Sequence, residues 1–394
     1  MLQRRKIAKS PAYENYFPTC PGNAVTLRVD GAAYFPAVFA AAESAQSSLL
    51  VESYIFGDDA VGRRMLDIMI TRARAGVAVR LIIDGFGSDS FPREKLAPLR
   101  AAGGEVYIHN PLTLWSLGSG LLNRLPLLGP RFRKRNRRGR GRDHRKMVVI
   151  DGCRVFLGGI NLTSDGEDWH DFMLDIEGPA AAQAVKLFAG LWNKNNPPLA
   201  ESVFFPAPRP AGDLTVRILG HQTRRIRRAI FAAYRDGLNA AQHEVIIANA
   251  YFLPDHKLQR LLFNAVKKGV KVRLLLPEKS DVPIAQAASE YFYHRLLRKG
   301  VEIHLYDAAM LHAKAAVVDG RWLTVGSYNL DHQSLYNNLE VTAVIEDEGL
   351  GGRLQAILRA DLAGARALDR QSWNRRSRLR KLRSWGWHLF EKLL

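Results

Sequence analysis

The sequence predicts an α/β protein made of two pseudo-symmetric halves, each a mixed sheet flanked by helices, and three observations predict it. The segment His144-Arg-Lys146-Met-Val-Val-Ile-Asp151, followed by Gly158-Gly159-Ile-Asn161, recurs as His312-Ala-Lys314-Ala-Ala-Val-Val-Asp319, followed by Gly326-Ser327-Tyr-Asn329. Ahead of each copy, β-branched runs alternate with stretches whose apolar residues fall three and four apart, the marks of strands and amphipathic helices in succession. Behind each copy come further short strands. A repeated body accounts for all three better than two convergent loops do.

In chain order, LLVESYIFGDD near Glu52 pairs with VIIANAYFLPD near Asn249, which sets Tyr54 against Tyr251 and Glu52 against Asn249. AGVAVRLIID (75 to 84) matches KGVKVRLLLP (268 to 277), and GGEVYIHN (103 to 110) matches GVEIHLYD (300 to 307). MLDIMITRARAG and KLQRLLFNAVKKG supply the helices between them. Each half thus reads strand, helix, strand, helix, strand, which demands a sheet with helices packed on it. KMVVID, RVFLGG and FMLDIEG then extend the first half, and KAAVVDG, WLTVGS and LEVTAVIED the second.

The first half is expected over residues 1–194, a Pro-rich linker over 195–212, the second half over 213–369 and a basic amphipathic tail over 370–394. The halves differ in one place: 39 positions separate Glu105 from His144, against 10 between Glu302 and His312. The extra segment, at about 111–142, joins LWSLGSGLLNRLPLLGP to the arginine run RFRKRNRRGRGR. A leucine-rich stretch with tryptophan beside arginines suits the boundary between acyl chains and anionic headgroups, whereas an arginine run alone reads as a solvated loop. The tail combines the same features, with Leu379, Leu382, Leu389, Phe390 and Leu393 at mostly helical spacing and Trp373, Trp385 and Trp387 among arginines. A helix packed back on the body is the other reading of it.

Formal charge is +19, which points to an anionic partner: nucleic acid, anionic lipid or a phosphorylated small molecule. No run approaches the roughly 18 apolar residues of a membrane span, and the N-terminus lacks the apolar core of a signal peptide. A cytosolic body is the expectation. The two cysteines, Cys20 and Cys153, lie far apart without metal-ligand spacing and read as ordinary thiols.

The repeated motif suits phosphodiester chemistry. A phosphodiester is anionic, so its nucleophile approaches against charge and its leaving alkoxide needs a proton. Two histidines across the phosphorus meet both needs: one attacks in line to give a phosphohistidine, and the other protonates the departing oxygen, then deprotonates the acceptor. Lys146 and Lys314 share the strand face of their histidines and can neutralise the phosphoryl oxygens, with Asn161 and Asn329 as neutral donors. The lysines bring the positive charge that a metal brings elsewhere, so no metal or other cofactor is expected.

An imidazole nucleophile needs an acceptor on its second nitrogen. Asp171 and Glu340, each at the head of an otherwise apolar strand, are the candidates to orient the histidines; an acid capping a strand end is the plainer reading. Asp151 and Asp319 complete the motif as candidate catalytic residues, yet each precedes a glycine, and Asp-Gly is first a turn signal that favours a structural role. Glu52 is either an acceptor-headgroup ligand or a core-edge carboxylate. With Tyr54, Asn249 and Tyr251 it makes up the candidate substrate-binding set.

These residues resemble the phospholipase D superfamily, whose signature is this duplicated His-Lys-Asp motif. Within it the chain looks most like bacterial cardiolipin synthases without transmembrane helices, on ESYIF (52 to 56), DHRKMVVIDGCRVFLGGIN (143 to 161), WHDFMLDIEGP (169 to 179), NAYFLPD (249 to 255) and LHAKAAVVDGRWLTVGSYNLD (311 to 331). The resemblance implies two phospholipase D-like halves. It implies transfer of a phosphatidyl group from one phosphatidylglycerol to the terminal hydroxyl of another, releasing glycerol, at the cytoplasmic side of the membrane. It makes His144 the nucleophile and His312 the acid/base, while near-symmetry leaves the reverse open. Phosphatidylethanolamine is an alternative donor. A hydrolase or a nuclease of the same superfamily would share the motif chemistry, but the arginines lie beside leucine and tryptophan rather than the aromatic platforms of single-strand binders, which argues against nucleic acid.

Overall fold

The computed structural model describes residues 16–111, 141–207, 209–221 and 228–388. The first half contains β1 (Cys20–Val29), α1 (Asp30–Glu43), β2 (Ser48–Ser53), α2 (Ala60–Arg74), β3 (Ala78–Asp84), α3 (Ala97–Ala101), β4 (Glu105–His109), β5 (Met147–Ile150), β6 (Arg154–Gly158), α4 (Asp165–Asp168), β7 (Trp169–His170), β8 (Phe172–Glu177) and α5 (Ala181–Trp192). A short helix α6 (Glu201–Phe204) interrupts the expected linker. The second half contains β9 (Leu214–Gly220), α7 (Ala229–Ala240), β10 (Glu244–Asn249), α8 (His256–Lys267), β11 (Lys271–Pro277), α9 (Pro283–Arg298), β12 (Glu302–Tyr306), β13 (Met310–Leu311), β14 (Lys314–Val318), β15 (Trp322–Gly326), α10 (His332–Tyr336), β16 (Val341–Glu346) and α11 (Glu348–Gly364), then β17 (Arg366–Ala367), α12 (Arg370–Asn374) and α13 (Arg378–His388).

The two halves share one sheet. Its order is β17-β12-β11-β10-β14-β15-β16-β9-β1-β8-β6-β5-β2-β3-β4. Counted outward from the β9–β1 junction, the halves repeat strand for strand, and only β17 at the edge breaks the repeat. The outer three strands of each half are parallel, and the inner ones antiparallel. The parallel strands are apolar on both faces, as helix-covered strands must be. Leu49, Val51, Leu81 and Ile83 pack toward α1 and α2, whereas Leu50, Ile82, Met147 and Val149 belong to a core that runs on through α5 into the second half.

Two motif details set the strand starts. Asp151 and Gly152, and likewise Asp319 and Gly320, all have positive φ of 51 to 63°. They form the centres of the β5–β6 and β14–β15 turns, closed by Cys153 N–H to Ile150 O and Arg321 N–H to Val318 O. Positive φ at both central residues is what a type I′ hairpin demands. The aspartate carboxylates then reach sideways: Asp151 accepts from the N–H groups of Gln46, Ser47 and Ser48, and Asp319 from those of Gln242, His243 and Glu244. Each motif aspartate thus fastens its hairpin to the strand that enters beside it.

The tail packs on the body. Trp373 is buried, with the Arg376 guanidinium 3.8 Å over its ring and the Tyr293 ring 5.3 Å away. Arg380 pairs with buried Glu290 at 2.6 Å, and His388 stacks on Tyr291 at 3.8 Å. Leu379, Leu382 and Trp385 of α13 remain exposed. The expectations for Leu389, Phe390, Leu393 and most of the basic insertion lie outside the described residues. Among the described residues no helix is long and apolar enough to cross a membrane.

Candidate active site

The motif histidines sit just ahead of β5 and β14, the strands where each half turns from its parallel strands to its antiparallel ones. Residues two apart on an extended chain share a face, so His144 and Lys146 point one way and Arg145 the other. All four motif His and Lys side chains are buried. Lys146 Nζ donates to His144 O at 2.7 Å, and Lys314 Nζ donates to His312 O.

The orienting acids cross over between the halves. His144 Nδ1 lies 3.1 Å from Glu340 Oε2, and His312 Nδ1 lies 2.7 Å from Asp171 Oδ2. The backbone repeats the exchange: His144 N–H donates to Leu339 O, and His312 N–H donates to His170 O. Each half therefore lends the head of an inner strand to the histidine of the other. A carboxylate acceptor places the proton on Nδ1 and leaves Nε2 as the free nitrogen.

Burial and mutual repulsion tune these groups. Burial, reinforced by the lysine charges, holds the His144 imidazole below its ordinary value and His312 well below it. Burial takes the Lys146 ammonium down to about 7, with Glu340 opposing, and Lys314 to about 8, with Asp171 opposing. Asp171 is pushed up to about 6 by burial, against the pull of Lys314. Glu340 behaves oppositely: burial would raise it, but His144, Lys146 and the Ser327 hydroxyl together hold it below the usual range. Burial thus leaves the imidazoles neutral and the two lysines only marginally charged, with Asp171 and Glu340 beside them.

Aromatic rings wall the site. Tyr54 meets His144 edge-on at 4.8 Å, with Lys146 Nζ 5.0 Å from its ring, while Tyr251 lies 6.4 Å from His312 and donates its hydroxyl to Asp281 at 2.6 Å. Trp169, which motif reasoning did not single out, stands 4.9 Å from His312. A small cavity beside His312 is lined by Asn161, Thr163, Trp169 and Asp171, among others. Asn161 Oδ1 accepts from Ile55 N–H, which leaves its amide N–H groups as donors. Among the described residues no group of three or more His, Cys, Asp or Glu side chains is arranged to hold a metal ion.

A family described as "Cardiolipin synthase, PLD-like domain" matches residues 38–192 and 234–362. Cardiolipin synthase A of Pseudomonas aeruginosa is 34% identical over 94% of this chain and 72% of its own length. The chain belongs to the cardiolipin synthase family. Cardiolipin synthase B of Escherichia coli is 31% identical over 95% of this chain and 87% of its own. The fold is also that of a phosphatidylserine synthase from Haemophilus influenzae, with a TM-score of 0.67 at 14% identity over 96% of this chain and 98% of that one.

Within this family fold, two sequence expectations need correcting. Glu52 is not opposite Asn249. Asp151 fastens residues 46–48 where Asp319 fastens 242–244, and Leu162 N–H meets Ser53 Oγ where Leu330 N–H meets Asn249 Oδ1. The counterpart of Asn249 is thus Ser53, and that of Glu52 is Ala248. A slip of one residue turns a strand side chain to the opposite face, and Glu52 lies on the face away from His144. There it is buried against Arg145 at 2.5 Å, and Arg145 also donates to Asp143 at 3.0 Å and to Leu187 O at 2.9 Å. In the second half the corresponding positions are Ala248, Leu311 and Ala313, so charge is replaced by apolar packing as a set. The second correction concerns Asp151 and Asp319, candidate catalytic residues by motif membership, whose carboxylates are instead engaged by backbone N–H groups at the strand starts.

Proposed function

We propose that this protein is a metal-independent phosphatidyltransferase that makes cardiolipin from two phosphatidylglycerol molecules and releases glycerol, with the phosphatidyl group carried on His144. The observation that carries the reading is the crossed pair of carboxylate-held histidines with two buried lysines beside them. His144 Nε2 attacks phosphorus, and the P–O bond to the departing glycerol breaks as its oxygen takes a proton from His312. The second lipid's terminal hydroxyl then gives its proton to His312 while its oxygen displaces His144. Lys146 and Lys314 neutralise the phosphoryl oxygens throughout, and the amides of Asn161 and Asn329 donate hydrogen bonds to them. A bound phosphodiester also offsets the lysine repulsion that adds to burial in keeping the imidazoles neutral, which favours a protonated His312 when an acid is needed.

Asp171 and Glu340 fix the tautomers in this scheme. Tyr54 and Tyr251 flank the reacting phosphate, and Asn249, engaged with Leu330, shapes the wall beneath it. An anionic membrane is the partner, reached peripherally from the cytoplasmic side. Lipid mass spectrometry after incubation with phosphatidylglycerol and a chelator tests the proposal. Cardiolipin with one glycerol per product is expected. Phosphatidic acid alone would make the protein a hydrolase, and unchanged lipid would remove the reading.

A further inference from the structure

The loops that follow β3 and β11 adjoin the two tyrosines of the site and differ in character. Asp84 and Pro277 end the matching strands, so Asp281 is the counterpart of Ser88. Ser88 turns inward: its Oγ donates to Tyr54 O at 2.9 Å and accepts from Phe56 N–H at 3.0 Å. Its loop presents Phe86 to solvent, with the Arg142 guanidinium 4.9 Å over the ring. Asp281 instead lies exposed. Its Oδ2 accepts from the Tyr251 hydroxyl at 2.6 Å and its Oδ1 from Ser280 Oγ at 3.3 Å. A carboxylate has about four acceptor positions, so this one keeps capacity for hydroxyls arriving from outside. Tyr251 links it to His312, whose ring is 6.4 Å away, and the Asp281 charge favours the protonated forms of His312 and Lys314.

We infer that Asp281, held by Tyr251, binds the glycerol headgroup by accepting a hydrogen bond from the hydroxyl next to the reacting oxygen. The inference rests on the phosphatidyl-transfer reading. In-line displacement sets nucleophile and leaving group on opposite sides of phosphorus, so with His144 attacking, the departing glycerol lies on the side of His312. The acceptor enters by the same side: its terminal hydroxyl gives its proton to His312 as the new P–O bond forms and the P–N bond to His144 breaks. Departing and arriving glycerol therefore share one subsite, and Tyr251 and Asp281 stand there. In both, the carbon beside the reacting oxygen carries a hydroxyl, and a hydroxyl donates a short, strong hydrogen bond to a carboxylate. An ammonium headgroup is the poorer match, because Lys146 and Lys314 already bring positive charge to this pocket. Water has no such neighbouring hydroxyl, so the same residue favours transfer over hydrolysis.

Partition of one phosphatidyl-enzyme among competing acceptors tests this on the full chain, since the product ratio does not depend on how much protein is active. Short-chain phosphatidylglycerol is the donor. Propylene glycol, n-propanol and ethanolamine at equal concentration are the acceptors, and mass spectrometry measures the products. The wild type should favour the diol about tenfold over n-propanol, the discrimination expected when a substrate hydroxyl reaches a charged acceptor. Asp281→Ala should bring that ratio within about twofold of unity and raise the share of phosphatidic acid. Asp281→Asn, whose amide oxygen still accepts, should fall between, and Tyr251→Phe should lower the ratio less than Asp281→Ala does. Equal use of diol and n-propanol by the wild type would overturn this inference alone, as would an undiminished preference in Asp281→Ala or a wild-type preference for ethanolamine over the diol. Phosphatidic acid as the only product, or unchanged donor, would overturn the functional reading and this inference with it.

Discussion

Lys146 and Lys314 keep their charge only marginally, because burial draws them down to about 7 and about 8. Asp171, drawn up to about 6, is the complementary weak point. Below that pH its carboxyl protonates and no longer accepts the Nδ1–H of His312. Above the lysine values the pocket loses the positive charge that the proposed reaction uses to hold phosphate. The expected kcat/KM profile is therefore bell-shaped, with an acid limb near pH 6 and an alkaline limb between about 7 and 8. Rates at subsaturating phosphatidylglycerol across pH measure it, and a profile flat through both transitions would show that these groups do not control the free enzyme. Lys146→Arg, whose charge does not titrate in this range, should weaken the alkaline limb.

A charged set on β2 and just ahead of β5 is replaced by apolar residues in the second half. Arg145 is buried between Glu52 and Asp143, and removing one member of a buried ion network leaves the others uncompensated, typically at about 3–5 kcal/mol. Arg145→Ala should lose about that much in chemical denaturation. The combination Glu52→Ala, Asp143→Leu and Arg145→Ala copies Ala248, Leu311 and Ala313, and should recover most of it; equal destabilisation would show that the two halves do not tolerate the same packing. The same strands show what sequence could and could not say. The Asp-Gly turns were legible because a type I′ turn restricts its residues so strongly. His and Lys were legible because residues two apart on an extended strand share a face. Spacing identified Asp171 and Glu340 as strand-heading acids, but not which histidine each would meet, since that depends on β8 and β16 lying on either side of the junction. Glu52 was misplaced because a one-residue slip looks small in an alignment and reverses a strand face. β1 and β9 carry no motif and no clean apolar alternation, although their pairing joins the halves. Asp281 had no signal, lying in the loop between β11 and α9 outside the motif.

Among the described residues one long sheet runs through both halves, with β7 and β13 paired apart from it, and the candidate site is made by exchange across the middle. β8 approaches β15 and β6 approaches β16, so the sheet curls at the junction and brings the two motifs together. His170 adds a joint at this seam, with Nδ1 2.8 Å from Asp30 in the first half and Nε2 3.1 Å from Asp361 in the second. At the periphery, α13 is fixed to α9 by one face while Leu379, Leu382 and Trp385 point outward, with Lys381 and Arg383 exposed on the same helix. That pattern suits insertion at an anionic interface. Replacing the three outward residues by glutamate should reduce sedimentation with phosphatidylglycerol vesicles at least about tenfold while leaving the melting temperature near its wild-type value, since their side chains bury little of the core. Unchanged sedimentation would assign the helix to packing alone.

The shared site is the centre of the account, and turnover of the single variants His144→Ala and His312→Ala tests it most directly. If the two halves build one catalytic centre, each substitution alone should lower cardiolipin formation by at least about 10³-fold, with the fold intact by circular dichroism. Near-normal product formation by either variant would mean that one half suffices, and would contradict it.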